Sequence, residues 1–236
     1  MTGLRCRLGP GEQVTEGWTS EEACEEKVGS MMRFVVVAAL AIGLTASVYA
    51  AGGEPKREPV ADRLAEADRH YNKGLQHRDK AWEYEKKADG AEGSRKQQYT
   101  EAAQREFRLA IGEFQEATQQ NSRHVEAFGS LGYAQRKVGQ FEDALKSYNR
   151  ALRMNPDYAQ ALEYRAEAYM ELGKLSDASA DYRRLVDLDK DLARQFLGAA
   201  MVWFKDGRQT VDGLETFRAL VESEAEKLGP TKGDRW

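Results

Sequence analysis

The chain has 236 residues, of which 41% are hydrophobic and only 5 are proline. It is therefore long enough for one or two domains and is not a collagen-like or proline-rich polymer. Charged residues make up 31% and aromatic residues 9%, a balance that favours helices with solvated outer faces. The 35 Lys and Arg residues are outnumbered by 39 Asp and Glu residues, which leaves a formal net charge of −4. No bulk positive field exists to attract nucleic acid, so we expect no nucleic-acid partner.

Residues 31–50 have the layout of a secretory signal peptide. Arg33 precedes an apolar run from Phe34 to Leu44, and small residues then lead to Val-Tyr-Ala ending at Ala50, which is similar to an A-x-A cleavage site. The apolar run of about 11 residues is shorter than the roughly 20 that span a bilayer. We therefore expect cleavage and export to the periplasm or the cell exterior. The alternative is an uncleaved segment that anchors the chain in the membrane by a single span.

Residues 1–30 form a leader that lacks the basic character of a signal peptide's first region. They hold three basic residues against six Glu, and they have no helical or strand periodicity, so they show no means of burying a core. We expect translation to begin at Met31 or Met32, with the leader untranslated or disordered. Both cysteines, Cys6 and Cys24, lie in the leader, so the mature chain would have no disulfide and no cysteine nucleophile.

A helical hairpin is predicted after the signal. Residues 51–59 form a short polar linker with two prolines, which end any helix that comes from the signal. From Val60 onward, apolar residues recur every three, four or seven positions on one helix face, which includes Tyr71 and Trp82 and is interrupted only at Arg78. Residues 89–94 break this pattern, and a second apolar face follows. Residues 60–124 are therefore predicted to be an extended antiparallel helical hairpin.

From Val125 onward the chain repeats itself with a period of 34 residues. The segment that starts at Val125 aligns without gaps with the segment that starts at Ala159, and the register continues from Ala193. Equivalent positions keep similar residues: Phe128 with Leu162 and Phe196, Gly132 with Ala166 and Ala200, and Gly139 with Gly173 and Gly207. Small residues let two helices cross closely, and the glycines permit the turns. One such helix pair cannot bury its apolar face alone, so neighbouring pairs must stack.

This pattern resembles the tetratricopeptide repeat. The first repeat matches at Phe128, Leu131, Gly132, Gly139, Phe141, Ala144, Tyr148, Ala151 and Pro156. The resemblance implies an all-α solenoid of antiparallel helix pairs, a TPR-like superhelix that follows the long N-terminal hairpin. It implies repeats at residues 125–158 and 159–192, a divergent repeat or cap at 193–228, and a tail at 229–236.

The later repeats depart from the family pattern. In the second repeat, Arg165 replaces the Leu and Lys190 replaces the Pro. In the third, Asp212 stands where a small packing residue belongs, unless one residue is inserted so that Gly213 and Phe217 take the packing positions. We expect the third repeat to act as a divergent cap.

The hairpin resembles a lengthened repeat of the same kind. Gly74 and Phe114 match the small and the aromatic residue of the pattern, but they are 40 residues apart. The usual spacing would put them much closer, so roughly 24 extra residues lengthen the two helices.

No motif for catalysis or metal binding is found in the sequence. Nucleotide-binding, metalloprotease and serine-hydrolase signatures are all missing. His70 and His77 share a helix face but lie two turns apart, about 10 Å, which is too far for one metal, and we interpret them as surface residues. Asp187, Asp189 and Asp191 imitate the start of a calcium loop but lack its Gly and its bidentate Glu. We expect no enzymatic activity, no cofactor and no metal.

The resemblance implies that the first helix of each repeat lines a concave groove. The partner-binding residues it implies are Tyr133, Arg136, Lys137, Glu163, Tyr164, Glu167, Met170, Glu171, Arg194, Met201 and Phe204. Three of them, Glu163, Glu167 and Glu171, form an acidic stripe at helical spacing. We therefore expect a protein or peptide partner that is basic and has apolar anchors. In the alternative, the charges pair between adjacent helices and the aromatic residues pack in the core.

The predicted function is a non-catalytic interaction scaffold of the cell envelope. The alternative is a membrane-tethered structural or oligomerising subunit, in which the membrane is reached only through an uncleaved signal. A clamp for a chaperone's C-terminal carboxylate is not expected, because only Arg194 has the charge that such a clamp needs. At the helix crossing of the first repeat we expect Gly132 to face Ala144, with Ser147 on the outer face.

Overall fold

The computed structural model describes residues 59–205 and 211–229. Within these residues the chain forms eight helices and no strand, so the all-α prediction is confirmed. The predicted leader and signal, nearly all of the linker, and nearly all of the tail lie outside the described residues. None of the described helices is both long enough and apolar enough to cross a bilayer.

The helices follow one another with short connections. In chain order they are α1 (Val60–Asp89), α2 (Gly93–Gln120), α3 (Val125–Lys137), α4 (Phe141–Met154), α5 (Ala159–Glu171), α6 (Leu175–Leu188), α7 (Lys190–Lys205) and α8 (Leu214–Leu228). Each helix packs against the next, and α1, α3, α5 and α7 also touch in succession. This is the layering of a helix-pair solenoid, with the odd-numbered helices forming one layer.

Two histidine–glutamate pairs join the long helices α1 and α2. Nδ1 of His70 lies 2.6 Å from Oε2 of Glu113, and Nδ1 of His77 lies 2.7 Å from Oε2 of Glu106. The histidines are seven residues apart on α1, and their partners are seven residues apart in the opposite order on α2. The pairs therefore fix the antiparallel register of the hairpin at two levels. Both histidines are half-buried between the helices, which corrects their interpretation as surface residues.

A glycine lets an aromatic ring pack directly on the helix backbone at two crossings. A Cβ atom on Gly132 would lie 2.6 Å from Cε1 of Tyr148, and one on Gly74 would lie 2.5 Å from Cε1 of Phe114. Neither separation leaves room for a side chain. The three atoms nearest to the Cβ position of Gly132 all belong to Tyr148, and Ala144 is fully buried in the same helix pair. The hairpin and the first repeat thus share one kind of helix crossing.

The helix boundaries in the repeats follow the sequence period closely at first and less closely later. Helix α3 begins at Val125 and α5 at Ala159, where the sequence places the first two repeats. Helix α7 begins at Lys190, earlier than the predicted start at Ala193. On α8, Phe217 is buried, which fits the version of the third repeat with one inserted residue.

Candidate partner-binding cleft

A cleft of about 180 Å³ lies between the hairpin helix α1 and the repeat helices α3 and α5. Its lining consists of Tyr71, Arg78, Trp82, Gly129, Ser130, Tyr133, Tyr158, Gln160, Ala161 and Tyr164. Half of these residues are aromatic, and Arg78 is the one charged residue among them. We call this surface the aromatic cleft.

Helical spacing explains why the cleft residues converge. Tyr71, Arg78 and Trp82 are separated by seven and four residues, so they lie on one face of α1. Gly129 admits the ring of Tyr158, the residue immediately before α5, since a Cβ atom on Gly129 would lie 2.7 Å from Cε1 of that ring. The cleft therefore depends on the junction between two repeats as well as on the hairpin.

The walls of the aromatic cleft form a connected series of rings. The indole N–H of Trp82 donates a hydrogen bond to Oη of Tyr133 at 2.6 Å, and the two rings are almost perpendicular. The ring of Tyr133 lies 4.9 Å from that of Tyr164. Trp82 nevertheless remains 41% exposed. A fixed, amphipathic ring with so much free surface is typical of a binding site.

Arg78 supplies the charge of the aromatic cleft. Its guanidinium lies over the Trp82 ring, 4.3 Å from the centroid, and it donates to Oδ1 of Asp79 at 2.7 Å and 3.0 Å. The Asp79 side chain is 56% exposed, and exposed ion pairs of this kind are weak. The guanidinium is therefore held in place while its charge stays available to a ligand.

A buried ion pair lies next to the tyrosines. Arg136 pairs with Glu167 of the next repeat, and its guanidinium lies over the rings of both Tyr133 and Tyr164. Burial raises the pKa of Tyr133 to about 12, and burial also raises the pKa of Tyr164. Both hydroxyl groups are consequently protonated at neutral pH.

The burial of Glu163 and Glu167 corrects the expectation of an exposed acidic stripe. Glu163 is 1% exposed and Glu167 is 7% exposed. Neither carboxyl oxygen of Glu163 has a hydrogen-bond partner. Burial, together with the nearby charge of Glu167, raises the pKa of Glu163 to about 8. Glu163 is thus mostly neutral at pH 7 and does not present a charge to a partner.

The other predicted binding residues are dispersed. Lys137 pairs with Glu85 at 2.7 Å, Met170 is buried, and Glu171 is half-buried. On α7, Arg194 donates to the carbonyl of Leu228 and pairs with Asp191. Phe204 on the same helix packs against Phe217, whereas Met201 is exposed. Of the predicted set, only Tyr133 and Tyr164 line the aromatic cleft.

Sequence reasoning missed the contribution of α1 to the cleft. Tyr71 and Trp82 were placed on its packing face, and Arg78 was noted only as an interruption of that face. A cation four residues before Trp82 on an apolar face was the available signal, because such a residue must reach either solvent or a ligand. Tyr158 gave no signal, since its position depends on the contact with Gly129, which is 29 residues earlier in the chain.

The described part of the chain contains no cluster of side chains that could bind a metal ion. Residues 59–205 and 211–229 contain no group of three or more His, Cys, Asp or Glu side chains placed to hold an ion. The lining of the aromatic cleft has no carboxylate and no histidine.

Part of the chain matches the model of a known repeat family. Residues 130–193 match the family model described as tetratricopeptide repeat. No curated protein sequence matches the chain. A solved structure of the first TPR of Spaghetti (RPAP3), bound to the HSP90 peptide SRMEEVD, is 19% identical, with 56% of this chain and 94% of that chain covered and a TM-score of 0.40. The Arabidopsis OM64 TPR domain is 18% identical, with 51% and 93% covered and a TM-score of 0.38.

Proposed function

Because residues 130–193 are tetratricopeptide repeats, we propose that this chain is a non-catalytic scaffold that binds a segment of another protein in the aromatic cleft. Stacked helix pairs create extended concave surfaces suited to such binding. The observation that carries the proposal is the ring series around Trp82, which is fixed by a hydrogen bond to Tyr133 and still 41% exposed. Rigid aromatic side chains of this kind supply much of the binding energy at interfaces.

The chemistry of the lining supports binding and not catalysis. A general base must be deprotonated near neutral pH, but the titratable side chains of the aromatic cleft are tyrosines and one arginine. The raised pKa of Tyr133 and of Tyr158, each about 12, makes those hydroxyls weaker acids. The cleft therefore has contact area and donors but no group suited to accept a proton from a substrate.

Of the two partner features expected from the sequence, basic charge and apolar anchors, we keep only the apolar anchors. The expected basic character of the partner depended on an acidic stripe, and Glu163 and Glu167 of that stripe are buried. The expected apolar anchors depended on aromatic residues such as Tyr133 and Tyr164, which do line the cleft. We therefore propose a partner segment with at least one large apolar side chain that packs on these rings.

The signal-like segment at residues 31–50 supports a location outside the cytoplasm, in the envelope of a bacterial-type cell. In the second version of this proposal, the segment is not cleaved and the chain is a tethered subunit of an envelope complex. N-terminal sequencing of the native protein tests cleavage directly. Retention in the membrane pellet after a high-salt wash would favour the tether, because a released protein moves to the supernatant.

Binding in the aromatic cleft is tested by photo-crosslinking in the native envelope fraction with the wild-type chain and two variants. Trp82→Ala removes the exposed ring of the cleft. Leu109→Ala is the matched control, because Leu109 is 48% exposed on α2 and does not line the cleft. We expect Trp82→Ala to lose the crosslinked partner and Leu109→Ala to keep it, with circular dichroism showing that both variants fold. Equal crosslinking by Trp82→Ala and wild type would place the binding surface elsewhere.

A further inference from the structure

We propose that the aromatic cleft recognises an aspartate or glutamate side chain next to a large apolar side chain in the partner segment. This inference rests on the proposed function and gives the partner a charge opposite to the one expected from the sequence. It depends on which ring faces are already occupied and on where the acidic residues around the cleft are directed.

A cationic ligand is disfavoured because cations of the chain already occupy the ring faces. Aromatic rings can bind an ammonium or guanidinium group through their faces. Here the guanidinium of Arg78 lies over Trp82, 4.3 Å from its centroid. The guanidinium of Arg136 lies 5.5 Å and 5.2 Å from the centroids of Tyr133 and Tyr164. A lysine or arginine that entered the cleft would meet the positive charge of Arg78 at Trp82, and Arg136 already covers one face of Tyr133 and of Tyr164.

The acidic residues near the cleft lie outside its lining. Glu85 pairs with Lys137 at 2.7 Å, and Glu126 lies 3.2 Å from His124. Glu167 pairs with Arg136, and the buried carboxyl of Glu163 does not line the cleft. The lining itself has one cation and no carboxylate. Within the lining, the charged group that a ligand meets is therefore Arg78, and its partner Asp79 lies outside the lining and is 56% exposed.

Arg78 has the geometry to receive a carboxylate. A guanidinium presents a planar fork of donors that matches the two oxygens of a carboxylate. Its present partner, Asp79, uses a single oxygen and is 56% exposed, so an incoming carboxylate competes with a weak surface pair. Ser130 and Gln160 add polar side chains to the same lining. The rings beside Arg78 provide the surface for the neighbouring apolar side chain.

A side-chain carboxylate fits better than the C-terminal carboxylate of a partner. The aromatic cleft has one guanidinium, which matches one carboxylate. The positions that a clamp for a chaperone's C-terminus needs hold Gly129, Tyr133, Tyr164 and Gly198 in addition to Arg194, so Arg194 alone supplies a cation that such a clamp requires. We therefore assign the site to an internal Asp or Glu.

The test uses the full chain and a phage-displayed library of random twelve-residue peptides. Selected peptides are resynthesised with acetylated N-termini and amidated C-termini, so that every carboxylate belongs to a side chain. Their affinity is measured by fluorescence anisotropy. We expect Asp or Glu within two positions of Phe, Tyr, Leu or Ile in the selected peptides. We also expect binding to weaken as salt increases, because a charge pair at an accessible surface is screened.

Three variants connect the selected peptides to the cleft. Arg78→Gln should weaken binding about tenfold or more, because it removes a charge-assisted hydrogen bond. Arg78→Lys should retain part of the affinity, since it keeps the charge and loses the fork. Arg69→Gln is the control, because Arg69 is an exposed arginine of the same helix that does not line the cleft, and it should bind like wild type.

The outcomes separate this inference from the proposed function. Acidic peptides that depend on both Arg78 and Trp82 support both. Peptides that lose affinity in Trp82→Ala but carry no acidic preference, or bind Arg78→Gln normally, overturn the carboxylate inference and leave the proposed cleft intact. If the library yields no peptide, or only peptides that bind Trp82→Ala as tightly as wild type, both are wrong. Circular dichroism of each variant excludes loss of binding through unfolding.

Discussion

The hairpin α1–α2 and the repeats α3–α6 share one kind of helix crossing but differ in what they bury. The buried residues of the hairpin are alanines, Gly74 and the apolar side chains of α2. In the repeats, the buried set also includes Gln135, Ser147, Glu163, Glu167, Ser179 and Asp181, which are all of the buried polar side chains in the described part of the chain. Helices that cross in the same way thus enclose an apolar core in one region and a partly polar core in the other.

The difference follows from the number of neighbours that each helix has. The edges of the interface between the two hairpin helices are open to solvent. The His70–Glu113 and His77–Glu106 pairs lie at these edges and remain partly exposed. A repeat helix lies between two other helix pairs, so a polar residue on its flank faces protein and must find its partner inside. Ser147 shows this, because its hydroxyl donates to Oε1 of Gln135 at 2.7 Å. Its expected place on the outer face was wrong.

Arg165, which departs from the repeat pattern, is another polar residue that finds its partners inside the protein. It stands where the first repeat has Leu131, and its guanidinium donates to both oxygens of Asp181 at 2.7 Å and 2.6 Å and to Asn149 at 2.5 Å. Asp181 is on α6 and Asn149 is on α4, so the arginine connects adjacent repeats. A polar connection has replaced an apolar one at the repeat junction.

The largest effect is expected from removing one partner of that connection. Arg165→Ala should lower the free energy of unfolding by about 3 to 5 kcal/mol, because it leaves the buried carboxylate of Asp181 without its cation. The double variant Arg165→Leu with Asp181→Leu should recover most of the loss, since an apolar pair can replace a buried ion pair. Urea denaturation measures both. Equal destabilisation by the single and double variants would contradict the pairing.

The second prediction concerns Glu163 and pH. The pKa of its carboxyl is raised by burial from 4.5 to about 8, so the folded state holds the proton more tightly than the unfolded state. The free energy of unfolding should therefore fall as pH rises from about 4.5 to about 8 and then level off. Glu163→Gln removes this cost and should gain about 4 kcal/mol over wild type at pH 9 relative to pH 4.5.

The measurement for Glu163 is urea denaturation at pH 4.5, 7 and 9. The control Glu116→Gln changes an exposed glutamate of α2 and should follow the wild-type pH profile. The charged groups that act on Glu163 are Glu167, Arg136 and Asp189. A pH-independent difference between Glu163→Gln and wild type would mean that the carboxyl does not carry the raised pKa.

The third prediction tests the shared crossing in both regions. Gly132→Ala and Gly74→Ala should each destabilise the protein by about 1 to 3 kcal/mol, because the added methyl group would overlap the ring of Tyr148 or of Phe114. Gly112→Ala is the matched control, since nothing lies within 4 Å of its Cβ position in α2. That variant should be stabilised by about 0.5 to 1 kcal/mol. Thermal melts that rank the three variants otherwise would refute the packing assignment.

The smallest effect is expected at the margin of the hairpin. His77→Gln loses the pair with Glu106, and because this pair is partly exposed, the free energy of unfolding should fall by less than about 1 kcal/mol. Chemical denaturation at pH 6 and at low salt measures it. A loss as large as that of Arg165→Ala would mean that the hairpin depends on its polar pairs as much as the repeats do.

The candidate site was only partly predictable from the sequence. Helical spacing correctly put Tyr133 and Tyr164 on the first helices of their repeats, and both line the aromatic cleft. The same spacing put Glu163, Glu167 and Met170 on an open groove, although all three are buried. Spacing defines which residues share a face, but the crossing angle and the neighbouring helices decide whether that face meets solvent.

The sequence by itself determined the helical content, the 34-residue period and the positions of the glycines at which rings pack. These are local or periodic properties, since turn conformation, small-residue spacing and apolar faces are all encoded within one or two repeats. Only the tertiary structure decided that α1 contributes Arg78 and Trp82 to a wall opposite α3 and α5, and that Glu163 loses its contact with water. Those outcomes depend on how far the lengthened hairpin extends beside the repeats and how closely the repeats stack. Burial and charge at a given residue are set by neighbours that are distant in the chain.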